Sequence, residues 1–110
     1  MANTYKILGQ VAPIATTETD LYTVQAPATS AVCSSIVICN RGTAARSFRV
    51  SISSGGDPTS NEDYLYYDVT LAGNDTFIAT IGITLNLSDV IRVYSDTGSL
   101  SFNLFGTELS

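Results

Sequence analysis

From Phe77 to Leu85 every second residue is apolar: Phe77, Ala79, Ile81, Ile83 and Leu85 alternate with Ile78, Thr80, Gly82 and Thr84. A period of two sets all five on one side of an extended chain but scatters them around a helix, so the stretch predicts a strand with one buried face. No other alternation in the chain is as long, and no window of helical length shows helical spacing with both caps. The rest of the sequence repeats the same theme in shorter pieces.

Ser34 to Ile52 (SSIVICNRGTAARSFRVSI) holds two β-branched runs around a polar break at Asn40, Arg41, Gly42 and Thr43, which reads locally as strand, turn, strand in a hairpin. In the first run Val32, Ile36 and Ile38 are expected on one face and Cys33, Val37 and Cys39 on the other. Both faces are therefore apolar, as in a central strand or one that meets another subunit. The second run alternates cleanly, with Phe48, Val50 and Ile52 inward. Thr4 to Val11 is an edge strand or an arm that docks on a neighbour, anchored by Tyr5, Ile7 and Leu8 and ended by Pro13. Asp20 to Gln25 predicts a short strand, and Ser53 to Asp63 (SSGGDPTSNED) the longest exposed loop. In DYLYYDVTL the expected core face is Leu65, Tyr67, Val69 and Leu71. Ser88 to Tyr94 and a final run through Leu100, Phe102 and Leu104 complete about eight strands, spaced roughly a dozen residues apart. That spacing implies an all-β antiparallel sandwich or a small barrel.

The chain has 110 residues, the size of one domain, so residues 1–110 are expected to form a single sandwich with 1–13 as its arm or edge. Five Lys and Arg stand against ten Asp and Glu, a net charge of −5, and only 14% of residues are charged. Four scattered arginines and a pI near 4.2 have the wrong sign and spacing for a phosphate backbone, which disfavours nucleic acid as a partner. No run approaches the roughly 20 apolar residues of a helical membrane span, so the expectation is a soluble protein made in the cytoplasm.

Histidine is absent, which removes the commonest general base and metal ligand. Two cysteines six residues apart make no zinc site. On one continuous strand Cys33 and Cys39 lie about 20 Å apart, too far for a disulfide, and so read as parallel thiols on one face. They are buried thiols, or one of them is an intersubunit bridge or a reactive thiol. Glu62, Asp63 and Asp68 are the nearest carboxylates to one another, but they sit beside the polar loop and read as solvated charges. The AGNDT segment lacks the spacing of a calcium loop. The tyrosines Tyr64, Tyr66 and Tyr67 are cross-strand packing or a protein-contact anchor. No catalytic, cofactor or metal residue is predicted. The residues expected to make protein contacts are Tyr5, Ile7, Leu8, Tyr64 and Tyr66.

Several strand-and-turn signatures, spread over nearly the whole chain, are similar to a group of small tailed-bacteriophage virion proteins. They are LYTV with a nearby Pro, ICNRGT before FRVSI, the AGNDTF turn, LSDVIRVY, and the closing LSFNLFGTE. The resemblance implies an immunoglobulin-like or jelly-roll sandwich that oligomerises, with a trimer favoured, and attaches to the virion. It implies a structural protein and no enzyme. The expected role is a head decoration or cement protein on the major capsid protein, with a tail, baseplate or fibre component as the alternative.

Overall fold

Eight strands form where the alternating runs predict them, and the computed structural model describes them within residues 2–110. They are β1 (Asn3–Val11), β2 (Thr19–Thr23), β3 (Ser30–Asn40), β4 (Arg46–Ser53), β5 (Tyr64–Leu71), β6 (Thr76–Asn86), β7 (Val90–Ser95) and β8 (Leu100–Leu109). The chain doubles back on itself at β4–β5, so β4 pairs with β5, β3 with β6, β2 with β7 and β1 with β8, all antiparallel. This long hairpin is rolled up by two further pairings, β3 with β8 and β4 with β7. The result is two four-stranded sheets, β1-β8-β3-β6 and β2-β7-β4-β5. That strand order is a jelly-roll β-sandwich and not an immunoglobulin one.

Only the β4–β5 connection stays within a sheet. Residues 34–52 are therefore two strands in different sheets, and the break after Asn40 is a corner between layers instead of a hairpin turn. The N-terminal segment is an edge strand, paired with β8 from Asn3 to Val11.

The inner faces of both sheets close over Ile36 and Ile38 (β3), Leu100, Phe102 and Leu104 (β8), Phe48 and Val50 (β4), and Ile91 and Val93 (β7), all essentially fully buried. Phe48 is central to this core, with its ring 5.3 Å from Phe77 and 6.3 Å from Phe102. The predicted inward face of β6 packs against the core throughout, from Phe77 to Leu85.

A row of bulges crosses the first sheet at one level, and it overturns three expectations. Relative to β8 between Leu104 and Gly106, β1 carries one extra residue at Leu8 and β3 one at Ser34, while β6 gains another around Gly82, whose φ is +55. An extra residue reverses the side-chain parity beyond it. Leu8, expected at a protein contact, is thereby turned into the core. Val32, expected beside Ile36 and Ile38, lies on the outer face while Cys33 points inward with them, and Cys39 comes out on the other face from Cys33. The two thiols are thus not parallel on one face. In β5 the same physics applies, since register shifts fall at Leu65, between Tyr64 and Tyr66, and again between Tyr66 and Val69, where Asp68 is held at φ +51. Asp tolerates this left-handed conformation better than most residues. The core side of β5 is consequently Tyr66, Val69 and Leu71, with Leu65 and Tyr67 exposed, contrary to the alternation of the sequence.

Asn40, buried at the corner where β3 leaves its sheet, holds three connections together. Its Nδ2 donates to the carbonyls of Ala44 (2.9 Å), Leu71 (3.2 Å) and Ala72 (3.3 Å), and its Oδ1 accepts from Gly42 N–H (2.9 Å) and Ser99 Oγ (3.2 Å). At the opposite end, Tyr22 OH donates to Glu108 Oε2 at 2.7 Å across the two sheets, and Lys6 Nζ donates to Glu108 Oε1 at 3.1 Å. This bond first, and Lys6 second, hold the Glu108 carboxyl below the usual carboxylate range. Burial, reinforced by the same bond, pushes the Tyr22 phenol above its usual range.

Candidate functional site

The feature that stands out on the surface is the outer face of the β1-β8-β3-β6 sheet. Cross-strand register places Ile7, Phe105, Ser35 and Thr80 in one row across all four strands. The next row is Gln10, Asn103, Val37 and Ile78. The apolar members, Ile7 and Phe105 in the first row and Val37 and Ile78 in the second, form a diagonal stripe. Tyr5 and Val32 lie on the row to the other side of the first, flanking Thr107. Tyr5 is 81% exposed, Ile78 68% and Ile7 50%, so this is bare apolar surface and not a partly covered core.

The face also carries no Asp, Glu, Lys or Arg. The only charged residues on its four strands are Lys6 and Glu108, and they turn to the inner side, where they meet each other and Tyr22 of the opposite sheet. A contiguous exposed apolar patch without charge is a feature of contact surfaces.

The outer face of the second sheet has the opposite character. Arg49 lies between the rings of Tyr67 and Tyr94, 4.3 and 4.4 Å from their centroids, and its Nε donates to Asp68 Oδ1 at 2.6 Å. Arg92 donates to Asp20, Ser53, Thr59 and the carbonyls of Gly56 and Asp57, so the long polar loop 54–63 is pinned down instead of free. Between them lies an open basin of about 590 Å³, bordered by Glu18, Thr59, Tyr64 and Tyr94.

The carboxylates singled out in the sequence have structural partners. Asp63 accepts from Ser60 N–H and closes a capping box, Glu62 meets Ser60 Oγ, and Asp68 meets Arg49. Asp75 of the AGNDT turn accepts from the Thr76 amide. Among the described residues no three His, Cys, Asp or Glu side chains converge as metal ligands. Burial pushes the Cys33 thiol up to about 11, which keeps it protonated and unreactive.

The five residues expected at protein contacts do not form one patch. Tyr5 and Ile7 lie on the uncharged face, and Leu8 is in the core. Tyr64 is on the opposite sheet, edge-on to Tyr67 at 4.9 Å. Tyr66 is wedged against Phe48 and Phe77 at the rim of the core. Sequence reasoning flagged β3 as apolar on both faces but missed Ile78 and Phe105. The signal that would have found them is an apolar residue out of phase with its strand's alternation, which both are. No protein-family model matches this sequence, and no curated protein is significantly similar to it.

Proposed function

We propose that this chain is a structural protein of a tailed-phage virion, bound to the outside of the head as a decoration or cement protein. The observation that carries the reading is the uncharged apolar stripe on the β1-β8-β3-β6 sheet of a chain with net charge −5. Such a surface is built for contact with protein. The strand-and-turn resemblance to virion proteins points to the particle as the place where the contact is made. Cement acts by mass action: subunits that bind the assembled shell and not its free subunits add their binding free energy to the shell. In this reading the chain works through protein contacts, with the major capsid protein as its partner, and carries out no reaction.

One observation favours the tail, baseplate or fibre alternative. The polar loop 54–63 is held rigidly by Arg92 beside the open basin, as a displayed recognition surface would be. A cryo-EM map of particles of the virus that encodes this chain separates the two. Density for the sandwich over capsomer joints supports the decoration role, and density confined to the tail supports the alternative. Particles without the sandwich anywhere refute both.

A further inference from the structure

We propose that the occupant of the uncharged sheet face is a second copy of this chain, packed face to face about a two-fold axis. This rests on reading the stripe as a contact surface, as above, and not on where the chain resides in a particle.

Charge selects the occupant first. Two copies with net charge −5 repel wherever their charged surfaces approach, and the β1-β8-β3-β6 face is where they can meet with no ionic side chain between them. A basic partner would gain no attraction here and would be drawn to the acidic remainder of the surface instead.

The pattern of the stripe is self-complementary. It runs diagonally from Ile7 on edge strand β1, through Phe105 and Val37 on the central strands, to Ile78 on edge strand β6. A two-fold axis in the interface plane, crossing the stripe between Phe105 and Val37, lays Ile7 over the partner's Ile78 and Phe105 over the partner's Val37. The neutral Ser35 and Asn103 lie off the stripe at its centre, where they can hydrogen-bond across the joint.

The area suffices. Four strands about 4.8 Å apart and roughly 30 Å long present a footprint near 570 Å² per copy, so a pair buries about 1,100 Å², just above the roughly 1,000 Å² a specific interface needs. An isologous contact closes at two copies. This face therefore builds a pair, and the trimer implied by the resemblance, like the contact of the pair with the capsid protein, would need a different surface.

Sedimentation equilibrium of the full chain across the micromolar to sub-millimolar range tests this. The mass should rise from 11.6 kDa toward twice that value as concentration increases. Ile78→Lys, at a position 68% exposed and so tolerant of the change in the isolated fold, should weaken association at least tenfold. Its far-UV spectrum and thermal midpoint should stay as in the wild type. Leu65→Lys, exposed on the opposite sheet, should associate normally. A wild type that keeps its single-chain mass throughout, or an Ile78→Lys chain that pairs as the wild type does, overturns the inference. A chain that stays monomeric yet is found in purified particles refutes the pair and leaves the virion role standing; a chain that pairs but is missing from particles does the reverse.

Discussion

Asn40→Asp changes one NH2 group to an oxygen and nothing in shape, yet it should be among the most damaging substitutions in the molecule. Asn40 is 1% exposed, and its Nδ2 faces three carbonyl oxygens at 2.9, 3.2 and 3.3 Å. A carboxylate there donates to none of them and meets all three with like partial charge. The buried Leu71 carbonyl left unpaired costs about 1–3 kcal/mol and a buried carboxylate facing carbonyl oxygens costs more, so the loss at neutral pH should be about 3 kcal/mol. For a domain of this size that lowers the thermal midpoint by roughly 12–15 °C. Protonation restores one donor, so the folded carboxyl of the variant should titrate above its unfolded value near 4. The stabilising contribution of the protonated form is then complete below that value and is lost as pH rises through the higher folded one. Denaturant melts of wild type and variant, compared at matched pH, should therefore show a gap that is wide at neutral pH and narrower near pH 4. A gap below about 1 kcal/mol, or one independent of pH, would refute the account of Asn40 as the residue that ties the three connections.

Further outcomes follow from the same structure. Tyr22→Phe removes the bond to Glu108 and should cost about 1–2 kcal/mol at neutral pH. Because the Glu108 carboxyl is held low, its contribution is present above its unfolded value near 4.3 and is lost as pH falls through the folded value, so the variant's deficit should shrink in acid melts. The raised Tyr22 phenol has the opposite sign, contributing below about pH 10 and losing that contribution as pH rises; the wild type, and not Tyr22→Phe, should show this alkaline loss. Gly106→Ala would drive a Cβ into the Val32 carbonyl oxygen beside the β3 bulge and should lower stability by about 2 kcal/mol or more in the same melts. Arg92→Lys cannot reproduce the guanidinium fork that holds the loop, and hydrogen exchange should show lost protection confined to residues 54–60. Under native alkylation Cys39 should be modified before Cys33, with Cys33 reacting only on unfolding.

The architecture was legible because β alternation is a local signal. Phe77 to Leu85 and Phe48 to Ile52 announce their buried faces residue by residue, and turn residues separate the strands. Pairing was less legible, because which strands meet depends on contacts between β1 and β8 at opposite ends of the chain. Residues 34–52 have the local look of a hairpin and become a corner between sheets for that reason. The bulges were not legible either. Leu8, Ser34 and Asp68 break the period of two only through their neighbours' register, and each break exchanges core and surface beyond it. That is why Leu8 was expected outside and Tyr67 inside. The contact face was half legible: Tyr5, Ile7 and the double-sided β3 were visible, whereas Ile78 and Phe105 passed as interruptions in strands read for their other face. Asn40 gives no hint of its role in the sequence, since an Asn beside Arg-Gly reads as an ordinary turn residue.

We propose that this chain is a protein-contact component of a virion's outer shell. That proposal is tested by the chain's molar amount, relative to the major capsid protein, in highly purified particles of the phage proposed to encode it, determined by quantitative mass spectrometry against labelled peptides. A decoration protein should be present in an amount of the same order as the capsid protein and be retained through repeated purification. A chain absent from such particles while abundant in the infected cell would contradict it.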